Sequence, residues 1–548
     1  MSTSDRQPSP DAAPSATNGR TTLLDRIERI GNALPDPMTL FVIGTVLVIL
    51  ASWAVSASGH RAELILEGET EPRFVAEAWN VASQEGFKWL LDNLIDIFTS
   101  FAPLGLVLVA AIGIAVAEKS GLIAAALKLI LLVVPASLLT PATFFAGVMS
   151  SMAVDAGYIV LPPLAAAVYR AVGRSPLVGL AAVFAGVASG FNANLFITGM
   201  DPMLAGMTQE GAQMLNDKYF VNPASNWWFM IASTFLVTLV GWFVTVRIVE
   251  PRLAAKSPEE GGPGVPDGEQ VLSMDLEPRE KQGLVMATIA SVVTVAFLLL
   301  MYFAEWGFLH DPEGSIGLGE DQQPFPTWIA NLVPLLLILF LVPGMAFGLT
   351  VGSIRSDRDV VRMMTEYMEV LGNYIVLAFF ASIFVAVFGQ SDLGRMVAIE
   401  GGNFLNGLGL PSSALMIAFI VLIAFLNLFV GSMSAKWAML SVVFVPMFMT
   451  VGISPELTQS AYRIGDSVSN CITPLNSYLI IVLVYMQQFA KKSGMGSLIS
   501  LMLPYSIALL IAWCILLAVW MGLGLPLGID GPLTYDVTSA AGAAGGGE

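Results

Sequence analysis

The chain has 548 residues, of which 55% are hydrophobic and only 12% are charged. Soluble proteins carry about 25% charged residues, so this composition excludes an ordinary soluble enzyme. The formal net charge is −17, and the 25 Lys and Arg residues do not form the clusters that nucleic-acid binding requires. We therefore expect a protein embedded in a lipid bilayer that does not bind nucleic acid.

Apolar runs of about 20 residues recur along the chain, and each is long enough to cross a bilayer as a helix. Residues 1–22, before the first run, are polar and rich in Pro, Ser and Ala, which predicts a disordered cytoplasmic arm. Basic residues in short loops mark the cytoplasmic side. They predict about nine transmembrane helices with the N-terminus in the cytoplasm, near 38–57, 95–117, 177–200, 228–249, 283–304, 328–350, 372–389, 465–487 and 497–522.

Two similar halves make up the predicted domain organisation. The first half covers residues 23–250 and the second covers residues 283–525. Between them, residues 251–282 are rich in Gly, Pro and charge and predict a cytoplasmic linker, and residues 526–548 predict a flexible tail.

One motif occurs once in each half. "GVMSSMAVDAGYIVLP" runs from Gly147 to Pro162, and "GSMSAKWAMLSVVFVP" runs from Gly431 to Pro446. The surrounding stretches, 121–170 and 411–451, must each return to the side they enter from if the basic loops are to stay cytoplasmic. We therefore predict two re-entrant hairpins that enter from opposite sides, with the motifs at their tips, in an inverted repeat.

A small, polar stretch interrupts an apolar span after each hairpin. These stretches are "VASGFNANLFITGMDP", at 187–202, and "IGDSVSNCITPLNSY", at 464–478. Gly and Pro interrupt helical hydrogen bonding and expose backbone groups. Small residues also serve helix packing in membranes, so each motif alone is weak evidence. Together they indicate an all-α transporter with interrupted helices and a site between the two halves.

Charged residues at predicted membrane depth are the strongest candidates for function, because each costs about 3 kcal/mol to insert. They are Asp155, Asp201, Lys436, Arg463 and Asp466. Arg463 and Asp466 lie three positions apart, on one face of a helix. Either they pair with each other, or Arg463 binds an anionic substrate group while Asp466 helps to hold a cation.

Sodium would require oxygen ligands at such a site. The predicted ligands flank the second tip and the second helix break, and they are Asn427, Gly431, Asp466 and Asn470. Asn192 and Asn194 are their counterparts in the first half, and we include both among the predicted substrate-binding residues. A substrate carboxylate would prefer exposed amides at the positive ends of half-helices. Trp437 would either stack on an aromatic substrate or serve packing.

Four stretches closely resemble the p-aminobenzoyl-glutamate transporter family (AbgT): "SSMAVDAGYIVLPPLAA", "GFNANLFITGMDP", "MSAKW" and "YRIGDSVSNCITPLNSY". The resemblance covers about residues 22–525. It implies a bowl-shaped homodimer in which each subunit has nine spans, two hairpins, a scaffold and a mobile core. The substrate-site residues that it implies are Asp201, Ser434, Trp437, Pro455, Arg463, Asp466 and Pro474. Asp155 competes with Asp201 for this role, and the implied sodium positions are Asn427, Gly431 and Asp466.

The resulting prediction is an ion-coupled secondary transporter of the bacterial inner membrane that works by alternating access and has no catalytic residues. The resemblance implies import of p-aminobenzoyl-glutamate, export of sulfonamide antimetabolites, or both. No G-x-x-x-x-G-K-[ST] run is present, so we expect no cofactor beyond Na⁺ and no ATP. The direction of transport and the choice between Na⁺ and protons stay open. The alternatives are transport of another dicarboxylate, broad drug efflux, a passive channel, and an intramembrane aspartyl protease, which lacks its Gly-x-Gly-Asp context here.

Overall fold

The computed structural model describes residues 37–64, 74–153, 156–263, 276–315, 326–476 and 478–537. The predicted arm at 1–22, the candidate Asp155 and the end of the predicted tail, 538–548, lie outside these ranges.

Helices form nearly all of the described structure. Those of the first half are α1 Pro37–Ser58, α2 Gln84–Thr99, α3 Ala102–Lys119, α4 Leu122–Val133, α5 Leu139–Met149, α6 Ala156–Ala171, α7 Pro176–Ser189, α8 Met200–Gln213, α9 Trp227–Val244 and α10 Glu250–Ala254. Those of the second half are α11 Pro278–Phe303, α12 Thr327–Ala330, α13 Leu332–Val351, α14 Asp357–Gln390, α15 Leu393–Gly407, α16 Ser412–Leu426, α17 Met433–Met449, α18 Pro455–Val468, α19 Tyr478–Phe489 and α20 Met495–Gly522. Strands β1 Arg61–Leu64 and β2 Phe74–Glu77 pair antiparallel, with Arg61 opposite Glu77.

Seven helical segments among the described residues are long and apolar enough to cross a membrane. They are Pro37–Ser58, Gln84–Lys119, Trp227–Ala254, Pro278–Phe303, Leu332–Val351, Leu371–Gln390 and Met495–Gly522. Helices α1 and α11 leave most of their apolar side chains exposed, as lipid-facing helices do. These segments correspond to seven of the nine predicted spans and confirm an all-α, polytopic membrane protein.

The other two predicted spans, 177–200 and 465–487, are not continuous helices. The first breaks between α7 and α8, and the second breaks between α18 and α19. Both breaks fall in the small, polar stretches identified in the sequence, which confirms the prediction of interrupted helices.

Each hairpin holds the helix that follows it between its two arms. Helix α7 packs against α5 and α6, and α18 packs against α16 and α17. Glycines permit the close approach: a Cβ on Gly186 would lie 2.5 Å from the Phe144 carbonyl oxygen, and one on Gly465 would lie 2.6 Å from that of Ile420. Each of these glycines lies three residues before its helix ends, so the two halves repeat the same packing.

The repeat extends to the turn before each hairpin. Ser120 caps the C-terminus of α3 and donates its hydroxyl to the Ala117 carbonyl, and Ser391 caps the C-terminus of α14 and donates to the Phe388 carbonyl. The next residue is left-handed in both turns, with φ of 96° at Gly121 and 58° at Asp392. The sequence similarity of "VAEKSGL" and "VFGQSDLG" therefore reflects a shared local structure.

Two predicted boundaries differ from the structure. The stretch 121–170 contains α4 as a separate helix before the arms α5 and α6, because the chain turns at Pro135. Residues 526–537, assigned to a flexible tail from the sequence, instead lie against the rest of the chain. In this docked segment Leu527 is fully buried, the Ser454 hydroxyl donates to the Pro532 carbonyl, and the Tyr535 N–H donates to the Gly452 carbonyl.

Candidate functional site

The two helix breaks meet each other. The Ser189 hydroxyl, at the end of α7, donates to the carbonyl of Val468, at the end of α18, over 3.3 Å. The Asn192 N–H donates to the Ser467 hydroxyl over 3.2 Å. Helix C-termini carry unpaired carbonyl groups and partial negative charge, so donors and cations are favoured where the two breaks meet.

A cavity of about 610 Å³ lies beside the meeting point. Both hairpin tips and both breaks contribute to it, through residues such as Ser151, Phe191, Ser434, Asn470 and Thr473. Helices α3 and α14 close the opposite side with Val107, Ala111, Ile114, Tyr367, Leu371 and Tyr374. Its volume is in the range of small-molecule binding sites.

Four helices present their first turns to this cavity. The lining includes Tyr158 near the start of α6, Met200 in α8, Ser434 in α17 and Tyr478 in α19. Helix N-termini offer unpaired N–H groups and partial positive charge, which together bind anionic groups. Asp466 is the one charged residue among the described lining residues, so the cavity presents no guanidinium or ammonium of its own.

A buried ion pair joins the halves. Arg463 Nη1 lies 2.6 Å from Asp201 Oδ1, and their side chains are 1% and 9% exposed. Thr198 donates its backbone N–H and its hydroxyl to the other carboxylate oxygen, and Arg463 Nη2 donates to the Asn192 carbonyl. The guanidinium group, predicted to bind a substrate, thus binds protein groups instead. Its Nε has no hydrogen-bond partner among the residues that the structure describes.

A second buried pair lies within the second half. Lys436 Nζ is 2.8 Å from Asp466 Oδ1, and these side chains are 3% and 1% exposed. The Asp466 carboxylate also accepts from Asn192 Nδ2 at 3.3 Å and from the Tyr462 hydroxyl at 3.4 Å. Arg463 and Asp466 therefore do not pair with each other, and each binds a partner on another element.

Two of the four predicted sodium ligands, Asn427 and Asp466, contact the ammonium of Lys436. Lys436 Nζ donates to Asn427 Oδ1 and to the Val430 carbonyl as well as to Asp466. These oxygens are of the kind that Na⁺ prefers, but a second cation about 4 Å from the ammonium would be repelled by about 4 kcal/mol at an effective dielectric constant of about 20. With Lys436 in place, Na⁺ does not fit this site.

The remaining sodium candidates are close by. Asn470 lines the cavity and accepts from Asn427 Nδ2 at 2.7 Å. Gly431 also lines the cavity, but the tip carbonyl that reaches the ammonium belongs to its neighbour Val430.

Trp437 lies behind the cavity wall. It is fully buried, its indole N–H donates to the Thr208 hydroxyl at 3.0 Å, and its ring stacks on Tyr462 with centroids 4.2 Å apart. It does not line the cavity, so its contacts here are those of packing.

Some of the other predicted substrate residues line the cavity, and the rest lie in the elements around it. Ser434 and Asp466 line the cavity, and Pro474 lies between the lining residues Thr473 and Leu475. Asn192 is buried between the breaks, and Asn194 Nδ2 donates to Ser151 in the first tip at 2.8 Å. Pro455 begins α18 and does not line the cavity.

Sequence reasoning missed two features of the site. Lys436 was noted only as a buried charge, although its spacing of nine residues from Asn427 spans the hairpin tip. Tyr158 and Tyr478 stack with centroids 4.2 Å apart and an interplanar angle of 4°. The sequence carries a signal for this pair, because Tyr158 follows the first hairpin tip and Tyr478 follows the second helix break by a few residues.

Known proteins resemble this chain over most of its length. A family model described as "AbgT putative transporter family" matches residues 22–535. The chain is 33% identical over 502 residues to the p-aminobenzoyl-glutamate transport protein of Escherichia coli (strain K12), a match that covers 92% of this chain and 95% of that protein.

Two solved structures share the fold. The Alcanivorax borkumensis YdaH transporter matches with a TM-score of 0.82 and 37% identity, over 90% of this chain and 100% of that one. Neisseria gonorrhoeae MtrF, described with a class of antimetabolite efflux pumps, matches with a TM-score of 0.84 and 40% identity, over 93% of this chain and 100% of that one.

Proposed function

This chain belongs to the AbgT transporter family, and on that premise we propose that it is an ion-coupled secondary transporter of p-aminobenzoyl-glutamate, of sulfonamide-type antimetabolites, or of both. Its relatives are membrane transporters rather than enzymes. The proposed location is the bacterial inner membrane, with the N-terminus in the cytoplasm.

One observation carries the choice of substrate class: the cavity combines aromatic walls with four helix N-termini. Tyr158, Phe191, Tyr367, Tyr374 and Tyr478 all line it. Flat aromatic rings pack favourably against such side chains, with about 0.5–1.5 kcal/mol beyond the area buried. An aminobenzoyl or aminobenzenesulfonyl ring therefore suits this wall.

The helix N-termini supply the second half of the recognition. p-Aminobenzoyl-glutamate carries carboxylates, and the first turns of α6, α8, α17 and α19 contribute partial positive charge to a cavity whose described lining includes no Lys or Arg. We propose that the ring binds the tyrosines and that the anionic end faces these first turns. A different dicarboxylate with no ring would use only the second feature, so it is the weaker candidate.

The position of the cavity supports alternating access. Its two sides belong to different groups of elements, the hairpins and broken helices on one side and α3 with α14 on the other. We propose that the hairpin side moves as a core against a scaffold that pairs with a second copy as a homodimer. The membrane potential supplies about 2.3 kcal/mol per charge per 100 mV, so one or two ions suffice for substantial accumulation.

Flux measurements on purified protein in liposomes test the proposal. Radiolabelled p-aminobenzoyl-glutamate and a sulfonamide are followed with sodium and pH gradients imposed separately, and with each orientation of the gradient. Saturable flux of either compound that responds to one gradient supports the proposal and reports the direction. Flux that neither saturates nor responds to a gradient would indicate a channel and contradict it.

A further inference from the structure

Lys436 is built into the second hairpin as an internal cation. It is the fourth residue of α17, and its side chain is 3% exposed. Its ammonium contacts one oxygen from each of three places: Asn427 at the end of α16, Val430 in the tip, and Asp466 in α18. An ammonium has three N–H donors, so these three acceptors saturate it.

The oxygen of Asn427 is held in this orientation by its own amide. Asn427 Nδ2 donates to the Asp466 carbonyl at 2.7 Å, and also to Ser469 Oγ and Asn470 Oδ1. With its donors turned to these oxygens, Oδ1 faces the ammonium. The tip, the end of α16 and the break after α18 are therefore tied to one positive charge.

The charges of the buried site are balanced. Asp201 pairs with Arg463, and Asp466 pairs with Lys436, so the two carboxylates already have two cations. A bound Na⁺ would add an uncompensated positive charge and would compete with Lys436 for the same oxygens.

We propose that Lys436 is the resident cation of this site and that its ammonium takes the position that the family resemblance assigns to Na⁺. While Lys436 is in place, the chain binds no Na⁺ at Asn427 and Asp466. The coupling ion of the proposed transporter then acts elsewhere. Only the statement about the coupling ion rests on the proposed function. The absence of Na⁺ binding at Asn427 and Asp466 does not, because ion binding is measured without transport.

The test measures ²²Na⁺ binding to the purified full-length protein in detergent. The difference between the binding with Asp466 present and the binding after Asp466→Asn is the Asp466-dependent binding. Lys436→Met keeps the length and apolar stem of the side chain but removes its charge. We expect no Asp466-dependent binding in the wild type. We expect Lys436→Met to gain saturable binding, together with a rise in unfolding temperature in NaCl relative to choline chloride. The double variant Lys436→Met/Asp466→Asn should lose both gains.

Two results would overturn the proposal. The first is Asp466-dependent Na⁺ binding by the wild type, which would mean that the ion and the ammonium share the site. The second is a folded Lys436→Met protein that binds no Na⁺, which would mean that the oxygens do not form a cation site. If Lys436→Met does not fold, the comparison of wild type with Asp466→Asn still decides the question. Failure of the liposome flux assay would leave these binding results unchanged, so the two proposals can fail separately.

Discussion

Helices α7 and α18 occupy equivalent positions in the two halves but differ in chemistry. Every residue of both helices is buried, each lies between the arms of its own hairpin, and each has a glycine three residues before its end. Helix α7 has no charged residue, whereas α18 contains Glu456, Arg463 and Asp466.

The difference teaches that a symmetric backbone supports an asymmetric site. Burying a charged helix requires partners, and α18 finds them in both halves: Asp201 in the first and Lys436 in the second. Helix α7 of the first half contributes no charge, but Asn192, just after it, contacts both charged groups: its amide donates to the Asp466 carboxylate and its backbone carbonyl accepts from Arg463. Both halves are therefore needed for a site whose ionic chemistry comes mainly from one.

Removal of the guanidinium from α18 should have the largest effect. Arg463→Met leaves Asp201 buried without its partner, and we expect a loss of about 3–5 kcal/mol in the free energy of unfolding. Thermal or denaturant unfolding in detergent measures it. The double variant Arg463→Met/Asp201→Asn should recover much of the loss, because the introduced amide is neutral and its oxygen can still accept from Thr198.

The exposed pair Arg61–Glu77 provides the control, with side chains 61% and 56% exposed. Breaking it with Arg61→Met should cost about 0–1 kcal/mol. Equal losses from Arg463→Met and Arg61→Met would show that the buried pair does not stabilise the contact between the halves.

The glycines test whether α7 and α18 are packed alike. Gly186→Ala and Gly465→Ala each place a Cβ within about 2.6 Å of a carbonyl oxygen, and each should cost about 1–3 kcal/mol of stability. Gly372→Ala, on α14, meets nothing within 4 Å and should be neutral or stabilising. A large loss at one of the two sites and none at the other would break the structural equivalence of the halves.

The pH dependence of stability should report on the first turn of α18. Glu456 lies outside the predicted span 465–487, and burial raises its pKa from 4.5 to about 8, with Asp530 adding to the rise. Between these values the unfolded chain releases a proton that the folded chain retains, so stability falls as pH rises, by up to about 1.4 kcal/mol per pH unit. Unfolding temperatures from pH 5 to 8 measure the slope.

Glu456→Gln removes the titrating group and should flatten this slope while its amide can still contact the Tyr219 hydroxyl, which lies 3.0–3.1 Å from the native carboxylate oxygens. Identical slopes in the wild type and the variant would mean that Glu456 is not the group responsible.

The smallest effect concerns a feature to which both halves contribute equally, the stacked pair of Tyr158 and Tyr478. Tyr158→Leu or Tyr478→Leu should raise the substrate concentration for half-maximal flux about 3- to 10-fold, in line with about 0.5–1.5 kcal/mol for an aromatic pair. Tyr→Phe at either position should retain the wild-type value.

Trp437→Phe is the matched comparison, because this ring packs behind the wall. It should lower stability by loss of the bond to Thr208 and leave the half-maximal concentration near the wild-type value. If Trp437→Phe instead raised the half-maximal concentration and left stability unchanged, Trp437 would be a substrate-binding residue.

Local signals made much of this architecture predictable. Hairpin tips and helix breaks depend on Gly, Pro and short polar residues that stop a helix within an apolar run, and these are visible in one stretch of sequence. The turns at Ser120 and Ser391 likewise carry local signals, the similar stretches "VAEKSGL" and "VFGQSDLG".

Long-range contacts were not predictable in the same way. Arg463 lies 262 positions from Asp201, and nothing in the local pattern of α18 distinguishes this partner from Asp466, three residues away. The burial of Trp437 depends on Thr208 of the other half, and the role of Lys436 depends on the fold of the tip. The docking of residues 526–537 depends in the same way on a distant part of the chain, since a Cβ at Gly528 or Gly531 would lie 2.0–2.2 Å from a backbone oxygen of Ala224 or Ser225.

The docked segment has a practical consequence for watching the protein at work. Residues 532–535 are hydrogen-bonded to Gly452 and Ser454, just before α18, and Leu527 accepts from Phe229 in the first turn of α9. Val537, the last residue that the structure describes, therefore lies two residues beyond a contact with the loop that leads into α18. A spectroscopic label attached to Val537 would report whether the loop before α18 moves relative to the start of α9, without any substitution near the ionic residues.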